Sequence, residues 1–111
     1  MSFSKLKALI GPHAGFEYSG PTAAWAYKAI TDVDAYDRVF ILGPSHKLSL
    51  DFIASTLCDE WETPLGPLVV DKETVDQLVG QNEAEFGLIQ TSYEENEHSL
   101  ELHLPYIRKV F

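Results

Sequence analysis

Four histidines carry most of the chemistry this chain could do: His13, His46, His98 and His103. His13 and His46 stand in matching settings. Ala8-Leu9-Ile10-Gly11-Pro12-His13 is echoed by Phe40-Ile41-Leu42-Gly43-Pro44-Ser45-His46, so each histidine follows an apolar run closed by Gly-Pro. Neutral imidazole is a good ligand for Fe, Zn or Cu, and two such rings make half of an open catalytic site. The plainer alternative is a pair of loop histidines used as hydrogen-bonding turn residues. A second cluster runs from Glu94 to His103, Glu-Glu-Asn-Glu-His-Ser-Leu-Glu-Leu-His. On one helix, Glu94, His98 and Glu101 share a face. That face reads either as a site wall, with a carboxylate for a metal-bound His or a proton shuttle, or as a solvated acidic helix start over a buried stripe at Leu100, Leu104 and Ile107. His103 lies beside that stripe and reads as a packed or capping residue. Cys58 reads as a small buried side chain, and Trp25 and Trp61 as core or pocket walls.

The elements that must position these residues follow from punctuation and periodicity. Residues 6–10 and 38–42 read as strands ended by Gly-Pro. Between them, Ser19 or Gly20 caps a helix that Pro21 opens, with Ala23, Tyr27 and Ile30 near one face. Two near-continuous apolar strands around a helix predict a parallel pair with a right-handed crossover. Both histidine loops then fall at the carboxyl edge of the sheet, where α/β folds bind ligands. Further on, residues 52–57 read as a strand, 60–67 as an irregular stretch or hairpin, and 68–70 as a short strand. Asp71 caps a helix over 72–79 with Gly80 as its stop. A connector with a short apolar piece at 87–90 leads to a helix-prone stretch at 94–104, which Pro105 kinks or ends. The fold class is α/β, a mainly parallel sheet flanked by helices.

Composition narrows the functions. The chain has 111 residues, with 8 Lys+Arg against 17 Asp+Glu, a net charge of −9. That balance argues against nucleic acid or an anionic membrane surface as the main partner. No apolar run approaches the roughly 18 residues of a membrane span, and Met1 to Lys7 has no apolar core for a signal peptide. A single cysteine gives no internal disulfide. The default expectation is one soluble intracellular domain. There is no phosphate-binding glycine loop, zinc-finger cysteine pairing or nucleophile elbow.

Taken together, Gly11-Pro12-His13-Ala14-Gly15-Phe16, Tyr18-Ser19-Gly20-Pro21, Phe40 to His46, Thr63-Pro64-Leu65-Gly66 and Glu97 to Tyr106 resemble the Memo family (mediator of ErbB2-driven cell motility). The matches run in order over nearly the whole chain. That family is structurally similar to class III extradiol dioxygenases of the LigB type, which implies the same α/β fold. The resemblance implies that His13 and His46 face the metal position, and that Glu97, His98 and Ser99 approach the pocket. It assigns no catalytic residue. The third family ligand is a cysteine far downstream, or a glutamate in the dioxygenases, and neither is in these residues. Residues 1–111 are therefore expected to be a partial, apparently truncated Memo-like domain without its C-terminal half. Fe(II) or copper would then bind weakly, and the isolated chain would be inactive.

The family reading also implies cytoplasmic location and motility signalling through a phosphotyrosine-containing receptor peptide. The net charge disfavours such a peptide; of the scattered cations only Lys47 is beside a site loop. The alternatives are a metal-dependent dioxygenase-type oxidoreductase and an α/β fragment with no activity. A truncated sheet exposes an apolar edge, so a homo-oligomer is a further expectation.

Overall fold

The computed structural model describes residues 6–111. The signal-peptide reading of Met1 to Lys7 falls mostly, and Lys5, one of the scattered cations, wholly, on residues 1–5, outside the described residues. The elements are α1 (Phe16–Lys28), a 3-10 turn (Val33–Ala35), β1 (Ile53–Ser55), β2 (Glu60–Trp61), β3 (Leu68–Val69), α2 (Lys72–Gln81), β4 (Phe86–Leu88), α3 (Thr91–Glu94), a second 3-10 turn (Glu101–His103) and α4 (Leu104–Val110). The class is α/β. No helix among the described residues is long and apolar enough to cross a membrane.

The parallel pair exists, but between other segments than the sequence predicts. β1 pairs with β4 in parallel, with Ile53, Ala54 and Ser55 opposite Phe86, Gly87 and Leu88. The chain passes from one to the other through the β2–β3 hairpin and α2. Gly87 is required by its neighbour: a Cβ there would lie 2.9 Å from Phe52 Cε2. Residues 6–10 and 38–42 form no strand. Ile10 and Leu42 are 98% and 84% exposed, so the described chain offers them no neighbouring surface to cover. The second run is tied instead at its start. Tyr36 Oη donates to Leu6 O, and Arg38 pairs with Asp71 at 2.7 Å.

Of the two readings for residues 60–67, irregular stretch or hairpin, the hairpin forms. Glu60 opposes Val69 and Trp61 opposes Leu68. Its turn, Thr63-Pro64-Leu65-Gly66, is closed from both sides, Thr63 N donating to Gly66 O (3.2 Å) and Gly66 N to Thr63 O (3.0 Å). Gly66 has φ +117°, a value that excludes most side chains.

The helices differ from their predicted bounds for local reasons. α1 starts at Phe16, because Gly15 O already accepts from Tyr18 N and Ser19 N. Ser19 is therefore inside the helix, and its hydroxyl donates back to Ala14 O at 2.7 Å instead of capping. Pro21 is also interior, where its ring nitrogen cannot donate to the fourth carbonyl back, that of Glu17. α2 is capped as predicted, with Asp71 accepting from Thr74 N at 3.1 Å. It runs through Gly80 to Gln81, and Asn82 Nδ2 then donates to Leu78 O, satisfying a terminal carbonyl. The helix expected over 94–104 is broken. α3 ends at Glu94, residues 97–98 are irregular, and α4 begins only at Leu104, with Pro105 in its first turn. A proline there loses nothing, because that N–H has no partner in a helix.

The core is the seam between α1 and α4. Ala23, Tyr27, Leu104 and Ile107 are its buried apolar residues. Tyr27 stacks flat on Tyr106, with centroids 5.0 Å apart and planes 5° from parallel. Tyr106 Oη donates to Gly20 O at 3.0 Å, tying α4 to α1.

Candidate metal centre

Three histidines from distant parts of the chain converge. His13 lies just before α1, His46 in the loop after residues 38–42, and His98 after α3. The ring centroids are 5.2 Å apart for His13 and His46, 5.9 Å for His13 and His98, and 4.3 Å for the stacked pair His46 and His98. One nitrogen from each lies within 4.8 Å of the others.

Glu97 holds His46. One carboxylate oxygen accepts from the His46 backbone N–H, and the other lies 2.7 Å from His46 Nδ1. That second oxygen also accepts from Ser99 N at 2.9 Å. Partial burial pushes the Glu97 carboxyl up. The hydrogen bonds from Ser99 N and His46 N, together with the His46 ring, outweigh this and hold it at about 2. The group is a carboxylate at any ordinary pH. With Nδ1 engaged, His46 presents Nε2 outward, the arrangement in which a carboxylate orients a metal-binding imidazole. Ser99 locks the same two segments from the other side. Its side chain is 1% exposed, and its hydroxyl donates to Pro44 O at 2.8 Å.

Below this cluster is a second polar pair. Tyr27 Oη and His103 Nδ1 are 2.7 Å apart. Burial, with the Tyr106 charge adding to it, pushes the Tyr27 phenol up to about 12. The hydroxyl therefore stays protonated and shares one proton with Nδ1 in a hydrogen bond whose direction follows the His103 tautomer. His103 packs against the backbone two residues before His13, where a Cβ at Gly11 would lie 3.1 Å from His103 Cε1. Burial and, less strongly, the neighbouring His13 hold the His103 pKa below its ordinary 6.5. The unfolded chain therefore binds the extra proton first, and stability falls as pH drops below 6.5 toward the folded value. The urea midpoint should decrease between pH 7.5 and pH 5.5, and His103→Gln should remove part of that slope. An equal slope in the variant would assign the acid sensitivity to other groups.

The structure thus gathers His13, His46, Glu97, His98 and Ser99 at one place. It does not bring Glu94 there: Glu94 accepts from Thr56 Oγ1 at 2.9 Å and lies 3.5 Å from Cys58 Sγ. The shared helix face of Glu94, His98 and Glu101 is lost with the helix that would have carried it. The resemblance places His98 near the pocket, but its position among the ligand-capable nitrogens depends on that helix being broken, which the local pattern does not show. The Tyr27–His103 pair, 76 residues apart, has no sequence signal.

The Memo-like protein profile matches residues 2–111. The chain belongs to the Memo-like family. It is 47% identical over 104 residues to Protein memo-1 homolog of Caenorhabditis elegans, a match covering 94% of this chain and 29% of that protein. Against Protein MEMO1 of Xenopus laevis the identity is 45%, and against Protein MEMO1 of Homo sapiens 43%, each covering 94% of this chain and 34% of the relative. The chain spans about a third of the length of these relatives. Within the Memo-like chain the donor set suits a transition metal. Three imidazoles accept Fe, Cu or Zn, and the nearby carboxylate is turned toward an imidazole N–H rather than into the space between the rings.

Proposed function

We propose that this Memo-like chain supplies the histidine side of a transition-metal centre in a cytoplasmic, redox-linked signalling protein. The observation that carries the reading is the convergence of His13 and His46, with Glu97 fixed on His46 Nδ1 at 2.7 Å. His13 and His46 would hold Fe(II) or copper, which supplies one-electron redox chemistry and a Lewis acid when bound. Glu97 selects the His46 tautomer and aims its Nε2. Ser99 and Pro44 keep the two loops from separating. A phosphotyrosine-bearing receptor peptide is the partner this reading implies, and Lys47 is the cation next to the site loop that could meet it.

The dioxygenase alternative calls for two histidines and a carboxylate on the metal. Glu97 is the carboxylate nearest in sequence to the ring cluster, and both its oxygens are engaged by His46 and Ser99. Glu97 as placed does not supply that carboxylate, and the ligand that separates the two readings, a downstream cysteine or glutamate, lies outside these residues.

Anaerobic calorimetric titration of the chain with Fe(II), and separately with Cu(I), tests the centre. The expected result is one ion per chain, bound at least 100-fold more weakly in His13→Ala and in His46→Ala. Undiminished affinity in both variants would sink the proposal.

A further inference from the structure

The resemblance gives only His13 and His46 as ligands in this segment and places His98 merely near the pocket, yet the His98 imidazole stands among the ligand nitrogens. We infer that His98 is itself a metal ligand, so that His13, His46 and His98 form a three-nitrogen set from this segment alone. The inference rests on the reading above and deepens it.

Three observations support it. The ligand-capable nitrogens of the three rings lie within 4.8 Å of one another. A metal holds imidazole nitrogens at about 2.0–2.1 Å, so two on one ion are at most about 4.2 Å apart. Three on one trigonal or tetrahedral ion are about 3.3–3.6 Å apart, so the rings need to close by up to about 1.5 Å, which χ rotations supply. Second, His98 is held on both sides. Glu97 before it is bonded to the backbone and ring of His46, and Ser99 after it is bonded to Pro44 O. Its backbone is thus fixed relative to His46, which limits the ordering that binding demands. Third, among the described residues the His98 ring makes no hydrogen bond or ion pair, and its ring contacts are with His13 and His46.

His98 could instead serve only as a ring stacked on His46. Two variants separate these roles. His98→Phe keeps a planar ring over His46 and removes both nitrogens, and His98→Gln keeps polarity without the ring. Circular dichroism and the urea midpoint verify folding. The probe is Fe(II) alone, added anaerobically to the full chain. X-ray absorption at the iron edge counts imidazoles, and titration gives affinity. The expected count is three in the parent chain and two in both variants, with affinity lowered at least 100-fold. This exceeds the 10–100-fold typical of residues that act through a ligand. A count of two in the parent, unchanged in His98→Phe, overturns the ligand role while leaving the His13–His46 centre standing. No ordered imidazole scattering in the parent overturns both.

Discussion

Leu104→Ala is expected to lower the unfolding free energy by about 2–5 kcal/mol, the range for emptying a buried leucine site. Leu104 is 5% exposed at the seam where α4 meets α1, and it shares that seam with Ala23, Tyr27 and Ile107. Tyr27, the largest of the other three, is held in a way that limits collapse into the gap. Tyr27 is stacked on Tyr106 and bonded to His103, while Tyr106 is bonded to Gly20 O. A cavity at Leu104 therefore stays open, which places the cost toward the upper half of the range. Small domains have about 5–15 kcal/mol in total, so the variant should populate unfolded chain under native conditions. Leu42→Ala is the matched control: it removes the same atoms from a side chain that is 84% exposed. Its change should stay within about 0.5 kcal/mol. Equilibrium urea unfolding with an unchanged m-value reads both. Equal midpoints for the two variants would mean that the α1–α4 seam is not where this chain keeps its stability.

How far the sequence reaches depends on how local the cause is. Asp71 at the start of α2, the turn of the β2–β3 hairpin and the buried face of α1 at Ala23 and Tyr27 follow from residues within one turn of each other, and all were legible. The two Gly-Pro-flanked histidines do lie side by side, though without the strand pair expected to bring them together. What failed was non-local. The runs at 6–10 and 38–42 have strand-like composition, but a strand exists only where a partner backbone lies alongside. Among the described residues the parallel partnership falls to Ile53–Ser55 and Phe86–Leu88. The stretch 94–104 has helical composition, but its middle is claimed by tertiary bonds from Glu97 and Ser99 to residues 44–46. Those bonds exceed the few tenths of a kcal/mol per residue by which helix propensities differ. Breaking that helix moves Glu94 to Thr56 and leaves His98 facing His46. The candidate site is therefore a product of the same interruption that local propensity argues against.

Gly43 is where that interruption is decided, and Gly43→Ala should weaken both the fold and the metal centre. A Cβ on Gly43 would stand 2.7 Å from Ser99 Oγ, 2.8 Å from Leu100 Cδ2 and 3.1 Å from Ser99 Cβ. Carbon does not tolerate the first two distances, so one segment must retreat. Ser99 cannot swing aside freely, because its side chain is 1% exposed and its hydroxyl is bonded to Pro44 O. The retreat therefore moves the 97–100 backbone away from residues 43–46. Glu97, which accepts from both Ser99 N and His46, is carried with it. Overpacking of this kind costs about 1–3 kcal/mol. Loosening the carboxylate that orients a ligand histidine lowers metal affinity roughly 10–100-fold. The two effects share one cause, and the double variant Gly43→Ala with Ser99→Gly exposes it. Removing the Ser99 side chain deletes two of the three clashing atoms. The Gly43 substitution should then cost less stability in the Ser99→Gly background than in the parent, by more than the 0.5 kcal/mol expected of independent sites. Strict additivity would show that the close approach of these two backbones does not hold the histidine loops together. Recovered stability without recovered Fe(II) affinity would separate the clash from the site. In that case the Ser99 hydroxyl, through its bond to Pro44, is itself needed to hold His46 against His98.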